Sequence, residues 1–185
     1  MPPRSATADR VVEAATSMVQ TRGYNGFSYG DIADMVGIRK ASLHHHFPGK
    51  ADLGQEVARR YRGAFGVALA GIESETDDRI ARLERYVELY ARQLSDHGRM
   101  CLCGMLAAEY ATIPAPVQDE VRGFFDDQRA WLARMLGGER RPTADARHRA
   151  DLFLAGLEGA LLVARTDGGI ARFRRTSGAL IDAVA

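Results

Sequence analysis

Residues 27–50 read FSYGDIADMVGIRKASLHHHFPGK. Ser28 offers an N-cap oxygen with Asp31 three residues on, a shortened capping box, and Ile32, Ala33 and Val36 then supply one apolar face. Gly37 ends that short helix. In the next, Leu43 and Phe47 stand four apart and face inward, so Lys40, Ser42, His44 and His45 are spread over the remaining surface. Pro48 disfavours helical geometry at Phe47 and closes the element. Two short helices about a glycine turn are too small to bury their own apolar faces. The rest of the chain must therefore be scaffold or control for this pair.

Upstream, Val11, Val12, Ala15, Met18 and Val19 repeat at helical spacing and predict a helix over about 8–22, with Gly23 as a left-handed C-terminal cap. Downstream, a long helix starts at Lys50 with Leu53, Val57, Tyr61, Phe65 and Leu69 on one stripe. It is expected to end at ESETDD, residues 73–78, a solvated loop and domain-level joint. Ile80, Leu83, Val87, Tyr90 and Leu94 form the next seam, closed by His97-Gly98. Met100 to Ala111 reads as a buried helix. Pro114 and Pro116 break it and start another with Val117, Val121, Phe124, Trp131 and Met135 inward, and GGERRPTAD, residues 137–145, reads as a loop.

Two final helices are predicted at about 144–166 and 169–184. Both are unusually apolar, with Leu152, Phe153, Leu157, Leu161 and Leu162 in the first and Phe173, Leu180, Ile181 and Val184 in the second. Gly156 and Gly159 would admit a close helix. More apolar surface than one core needs points to a subunit interface. No strand pattern occurs, so the expected fold is all-α.

The composition, 46% apolar and 26% charged over 185 residues, excludes a disordered chain and a disulfide-stapled mini-protein. The net charge of +1 does not announce a nucleic-acid binder. Residues 1–60 carry eight Lys and Arg against six Asp and Glu, so any charge that matters is local: Arg39, Lys40, Lys50 and the histidines. No run of 18 apolar residues exists, and MPPRSATADR lacks a signal-peptide core, which predicts a cytosolic protein with no membrane partner. Cys101 and Cys103, two apart on a helix, point to opposite sides and are badly placed to bridge.

Gly23 to Leu53, GYNGFSYGDIADMVGIRKASLHHHFPGKADL, resembles the TetR family of bacterial transcriptional repressors in order, spacing and residue type. Over residues 99–110, RMCLCGMLAAEY is similar to the sixth helix of family members that carry a cysteine there, including the electrophile-sensing group of the N-ethylmaleimide reductase repressor. The resemblance implies about nine helices. It divides them into a three-helix head at residues 5–50, with its helix-turn-helix at about 28–47, and an effector-binding and dimerisation domain at 51–185. It also implies a homodimer joined through its last two helices, with Leu152, Gly156, Gly159, Phe173, Leu180 and Ile181 at the interface. A palindromic double-stranded operator would be released when an effector enters the core.

A recognition helix fits the major groove, where side chains reach base edges while neighbours hold phosphates. Lys40 is the leading base or phosphate contact, Ala41 is small enough to meet a thymine methyl, and Ser42 can donate to either. The resemblance places phosphate contacts at Ser28, Tyr29 and Lys50. Two positions depart from it: Arg39 where Ser or Thr is common, and His44 where Tyr is common. His44 and His45 are expected near the backbone, and because imidazole becomes cationic in mild acid, operator binding should tighten at lower pH.

For the core, the resemblance makes Cys101 a candidate sensor, provided neighbours such as Arg99 and His97 activate the thiol. Filling of a core by small apolar residues is the plainer reading. Met100, Met105, Tyr86, Tyr90, Phe124 and Trp131 suit an apolar effector. No cofactor or metal is expected: adjacent helical histidines diverge by about 100°, and a set of Cys101 and Cys103 with His97 is disfavoured because the two sulfurs diverge on a helix. The competing classes are a helical enzyme using Glu109 and Tyr110, or Glu84 and Glu88, as acid and base, and a protein-interaction adaptor. Helical glutamates on an arginine-rich chain are usually solvated ion pairs.

Overall fold

The structure, a computed structural model, describes residues 6–95, 98–137, 142–167 and 169–184. Their elements are α1 (Ala6–Arg22), α2 (Tyr29–Val36), α3 (Lys40–His46), α4 (Lys50–Glu75), α5 (Arg79–Ser95), α6 (Leu102–Ala108), α7 (Ala115–Gly137), α8 (Ala144–Thr166) and α9 (Gly169–Val184). Among the described residues there is no strand. His97 and residues 138–141 of the expected loop lie outside the described residues.

Packing divides the chain into two units. Met1–Gly63 joins Leu102–Gly123, and Ala64–Cys101 joins Phe124–Ala185. The first unit therefore extends beyond residue 50 to include thirteen further residues of α4, α6 and the start of α7.

Local chemistry sets the ends of the helices in the first unit. Ser28 Oγ accepts from the Asp31 backbone N–H at 3.3 Å while Asp31 Oδ2 accepts from the Ser28 N–H at 2.6 Å, completing the expected capping box. Gly37 ends α2 at φ 72°, and the N–H groups of Gly37 and Ile38 reach Asp34 and Ala33 carbonyls at 3.2 and 3.0 Å. Val11, Ala15, Ile32, Leu43, Leu53 and Val57 are all buried and tie α1, α2, α3 and α4 together. Arg60 bridges Asp9 of α1 at 2.8 Å and the buried Glu56 at 2.7 Å, which bolts α1 to α4.

The sequence placed a loop at residues 73–78, but α4 runs through Glu75. The last carbonyls of a helix need outside donors, and Arg82 supplies them. Its guanidinium reaches the carbonyls of Thr76 at 2.6 Å and Glu73 at 3.0 Å, and Asp77 Oδ1 at 3.0 Å. The expected buried helix over 100–111 is shorter, and Ala107 and Ala108 are exposed. Small residues keep a segment apolar without requiring burial. Ile80, assigned to a buried seam, is likewise at the surface.

The second unit is built on an aromatic cluster. Phe65 meets Tyr86, Tyr90 and Phe124 edge to face, and Tyr86 stacks on Trp131 with ring centroids 5.3 Å apart. α8 and α9 form the expected terminal hairpin, with Thr143 capping α8 through the Ala146 N–H at 3.1 Å. Four of the six residues expected at a subunit interface also take part in this hairpin. Phe173 and Ile181 are buried within the chain, and a Cβ on Gly156 would stand 2.6 Å from Leu180 Cδ2. Leu152 and Gly159 are exposed, and with Ala155, Leu162 and Val163 they line an outward stripe of α8.

Candidate functional site

α3 is held by two inward anchors. Leu43 is fully buried and Phe47 nearly so. Fixing these two turns Lys40, Ala41, Ser42, His44 and His45 outward, and all five are exposed, as is Arg39 at the helix start. Arg39 takes the N-cap position with φ −74° and ψ 146° and makes no side-chain cap hydrogen bond, so its guanidinium is not consumed by the helix. The Lys40 side chain passes over Gly30, its Nζ 3.3 Å from the position a Cβ would occupy there. Glycine at 30 leaves room for that crossing.

Not every expected contact residue faces outward. The Tyr29 hydroxyl donates to the Phe47 carbonyl at 2.9 Å, and burial together with Asp52 pushes its pKa up to about 12. Lys50 Nζ donates to the Phe27 carbonyl and lies 4.2 and 4.6 Å from the Phe27 and Tyr24 ring centroids. Partial burial lowers the Lys50 pKa, opposed by Glu109 and Asp31. Both side chains brace the head. Spacing alone did not reveal this, because their partners are a carbonyl eighteen residues away and two rings.

The His44 ring packs on Tyr29 with centroids 4.9 Å apart, and its Nδ1 lies 3.1 Å from the Pro48 carbonyl. A carbonyl only accepts, so Nδ1 carries the proton and Nε2 is left for an outside partner.

Behind this face, Glu109 performs a task that sequence reading missed. Its carboxylate accepts the backbone N–H groups of Tyr24 and of Asn25, the latter at 3.1 Å, and Asn25 Nδ2 donates to Thr112 at 2.8 Å. The connection between α1 and α2 is thus held by the end of α6. At Gly23, with φ 81°, a side chain would be strained, and its Cβ would displace the Glu109 carboxylate, whose Oε2 stands 2.8 Å from that position. A lone acid following small residues at the end of a helix was the available signal.

In the second unit, Tyr86, Tyr90, Phe124, Trp131, Met100 and Cys101 are all buried. Met105 belongs to the first unit, on α6. The Tyr86 and Tyr90 hydroxyls are 3.2 Å apart. Glu158, also missed from the sequence, joins this group. Burial raises its pKa to about 7, and the Cys101 thiol and Tyr90 hydroxyl, both donating to it, partly oppose that shift. Glu158 lies four residues after Leu154 and three before Leu161, on the inward stripe of α8, and that spacing was the signal for it. Both cysteines are buried, and neither is joined in a disulfide among the described residues.

Two family models match the chain. Residues 11–57 match "Bacterial regulatory proteins, tetR family", and residues 80–179 match "Transcriptional regulator LmrA/YxaF-like, C-terminal domain". The HTH-type transcriptional regulator YxaF of Bacillus subtilis is 25% identical over 170 residues, 90% of this chain and 89% of that protein. A TetR-family regulator from Agrobacterium tumefaciens is 33% identical with a TM-score of 0.90, covering 97% of this chain and 98% of that one. NemR of Escherichia coli in its reduced form has a TM-score of 0.83 over 98% of each chain at 18% identity, a likeness of fold alone. The head and the core each match their own part of one architecture, and the chain belongs to the TetR family of bacterial transcriptional regulators.

Proposed function

We propose that this regulator represses transcription by binding a palindromic operator as a homodimer and leaves it when a small effector enters the second unit. The observation that carries the reading is α3, whose outward side chains are cationic, small or hydrogen-bonding while its two large apolar residues are buried. Lys40, Ala41 and Ser42 take the base edges. Arg39, Ser28, His44 and His45 take the phosphates. Tyr29 and Lys50 act one step behind, by fixing the pose of α3.

A head with so little net charge needs two copies to bind with useful affinity, and a dimer places two recognition helices about 34 Å apart on one face of the duplex. The exposed apolar stripe of α8, Leu152, Ala155, Gly159, Leu162 and Val163, is the surface that a second copy would cover. For effector response, the chain passes from the second unit to the first between Cys101 and Leu102, and α6 then carries Glu109 to the α1–α2 connection. A change at Cys101 is thereby linked by a single short helix to the head. Cys101 itself is buried with its S–H given to a carboxyl group, which favours reversible occupancy over covalent capture.

The family is one of regulators, not enzymes. The carboxylates that might have formed an acid–base pair have other posts: Glu109 caps the α1–α2 connection, and Glu88 pairs with Arg92 and Arg174. Selection of DNA fragments by the purified protein tests the proposal. A palindromic consensus, bound by a dimer and lost with Lys40→Ala, is the expected result. Enrichment of no sequence would reject it.

A further inference from the structure

A cleft of about 380 Å³ opens between the C-terminal half of α7 and the start of α8, both in the second unit. Its walls carry Arg129, Arg134 and Arg147 against a single acid, Asp151, and its floor is Ala130, Ala133 and Pro142.

Two of the three guanidinium groups are already engaged. Arg129 is shared between Asp126 at 3.1 Å and Asp151 at 3.0 Å, which ties α7 to α8 beside the cleft, and Arg134 holds Glu73 at 3.1 Å. The one acid of the lining therefore belongs to Arg129. Arg147 is exposed and makes no ion pair among the described residues. Asp145, the acid of the first turn of α8, is held by Arg149 at 2.9 Å. Arg147 stands one turn into α8, where the helix dipole adds to its positive field.

The contact of Asp151 with Arg129 turns this flank of α8 toward α7, whereas Gly156 meets Leu180 on the α9 side and Leu152 and Leu162 are exposed on the outward stripe. A second copy on that stripe and a ligand in the cleft would use different flanks of the helix.

These features select a ligand. A single unengaged guanidinium calls for a monoanion, and a carboxylate matches its planar fork with two parallel hydrogen bonds. The two alanines and the proline ring offer an apolar floor without a polar side chain, which suits a flat hydrocarbon body, and guanidinium planes at the walls stack on aromatic rings. We propose that the cleft binds an aromatic monocarboxylate, with its carboxylate on Arg147 and its ring over Ala130, Ala133 and Pro142. The site shares no lining residue with Cys101 or the aromatic cluster around Tyr86, and it goes beyond the repressor reading without depending on it.

Calorimetric titration of the full chain, without DNA and at fixed ionic strength, compares cinnamate with cinnamamide, which lacks the charge, and with acetate, which lacks the ring. Cinnamate should bind saturably at one site per chain, and the other two at least tenfold more weakly. Arg147→Gln should weaken cinnamate at least tenfold without moving the melting curve, since its side chain is exposed. Ala130→Leu, also at an exposed position, should weaken it by filling the floor. No saturable heat with cinnamate, equal binding of cinnamamide or acetate, or cinnamate affinity unchanged by either substitution would overturn the proposal. Because no DNA is present, a chain that selects no operator leaves the site standing, and one that selects an operator without binding cinnamate loses only the site.

Discussion

The Glu109 carboxylate accepts the backbone N–H groups of Tyr24 and Asn25, so the turn that sets α2 against α1 is held by a side chain more than eighty residues away. Hydrogen bonds to a charged acceptor contribute about 1.5–3 kcal/mol where they are shielded, and less where solvent reaches them. Glu109→Ala should therefore lower the stability of the first unit by about 1–2 kcal/mol, and Glu109→Gln by less, since the amide oxygen still accepts. Thermal melts followed by circular dichroism would measure both. Gly23→Ala should be destabilising at the same place, because φ 81° and the 2.8 Å approach of Glu109 Oε2 both oppose a Cβ.

Lys40 and Lys50 are both cationic residues of the same motif, yet they should fail differently. Lys40→Ala should cost about 1–3 kcal/mol of operator affinity with an unchanged melting curve. Lys50→Met removes the donor to Phe27 and the contact with two rings. It should lower the melting temperature, with weakened DNA binding as a consequence. Mobility-shift titrations beside melts separate the two.

His44 presents Nε2 outward while Nδ1 holds the Pro48 carbonyl. His44→Ala with His45→Ala should weaken operator binding in mobility-shift titrations, and an affinity equal to that of the parent would remove these side chains from the interface.

Glu158 makes the stability of the second unit depend on pH. Its folded pKa of about 7 lies above the ordinary value of 4.5, so the folded chain keeps the proton longer than the unfolded one. The contribution of the neutral acid is complete below 4.5 and is lost as pH rises toward and through 7. The second unit should melt at a lower temperature at about pH 8 than at about pH 5, and Glu158→Gln should lack that part of the change. Trp131 emission is the natural readout.

Leu162 is exposed on α8 beside Val163. Leu162→Glu should leave the fold intact, convert a dimer to monomers in sedimentation, and abolish tight binding to a full operator while sparing weak half-site binding.

Most of the helical frame was legible because its signals are local. Ser28 with Asp31, Gly23 and Gly37 announce their own roles, and α8 and α9 occur where the apolar period placed them. What stayed hidden depends on partners distant in sequence. Arg82 extends α4 through an acidic stretch that composition assigns to a loop. Lys50 and Tyr29 match a contact motif and instead brace the head. Phe173 and Ile181 look like interface residues until α8 covers them. Glu109 and Glu158 read as ordinary helical acids, because nothing local reveals that one meets two backbone donors and the other is buried against Tyr90 and Cys101.

Gly156 and Leu180 also share a fate over generations. With 2.6 Å between the leucine methyl and the place a Cβ would take, the two positions hold one fixed volume between them. A lineage that gains a methyl at 156 displaces the end of the Leu180 side chain, so that step is easiest where position 180 gives way with it. Among descendants of this chain the two positions should change together, a heritable trace of the close approach that Gly156 admits.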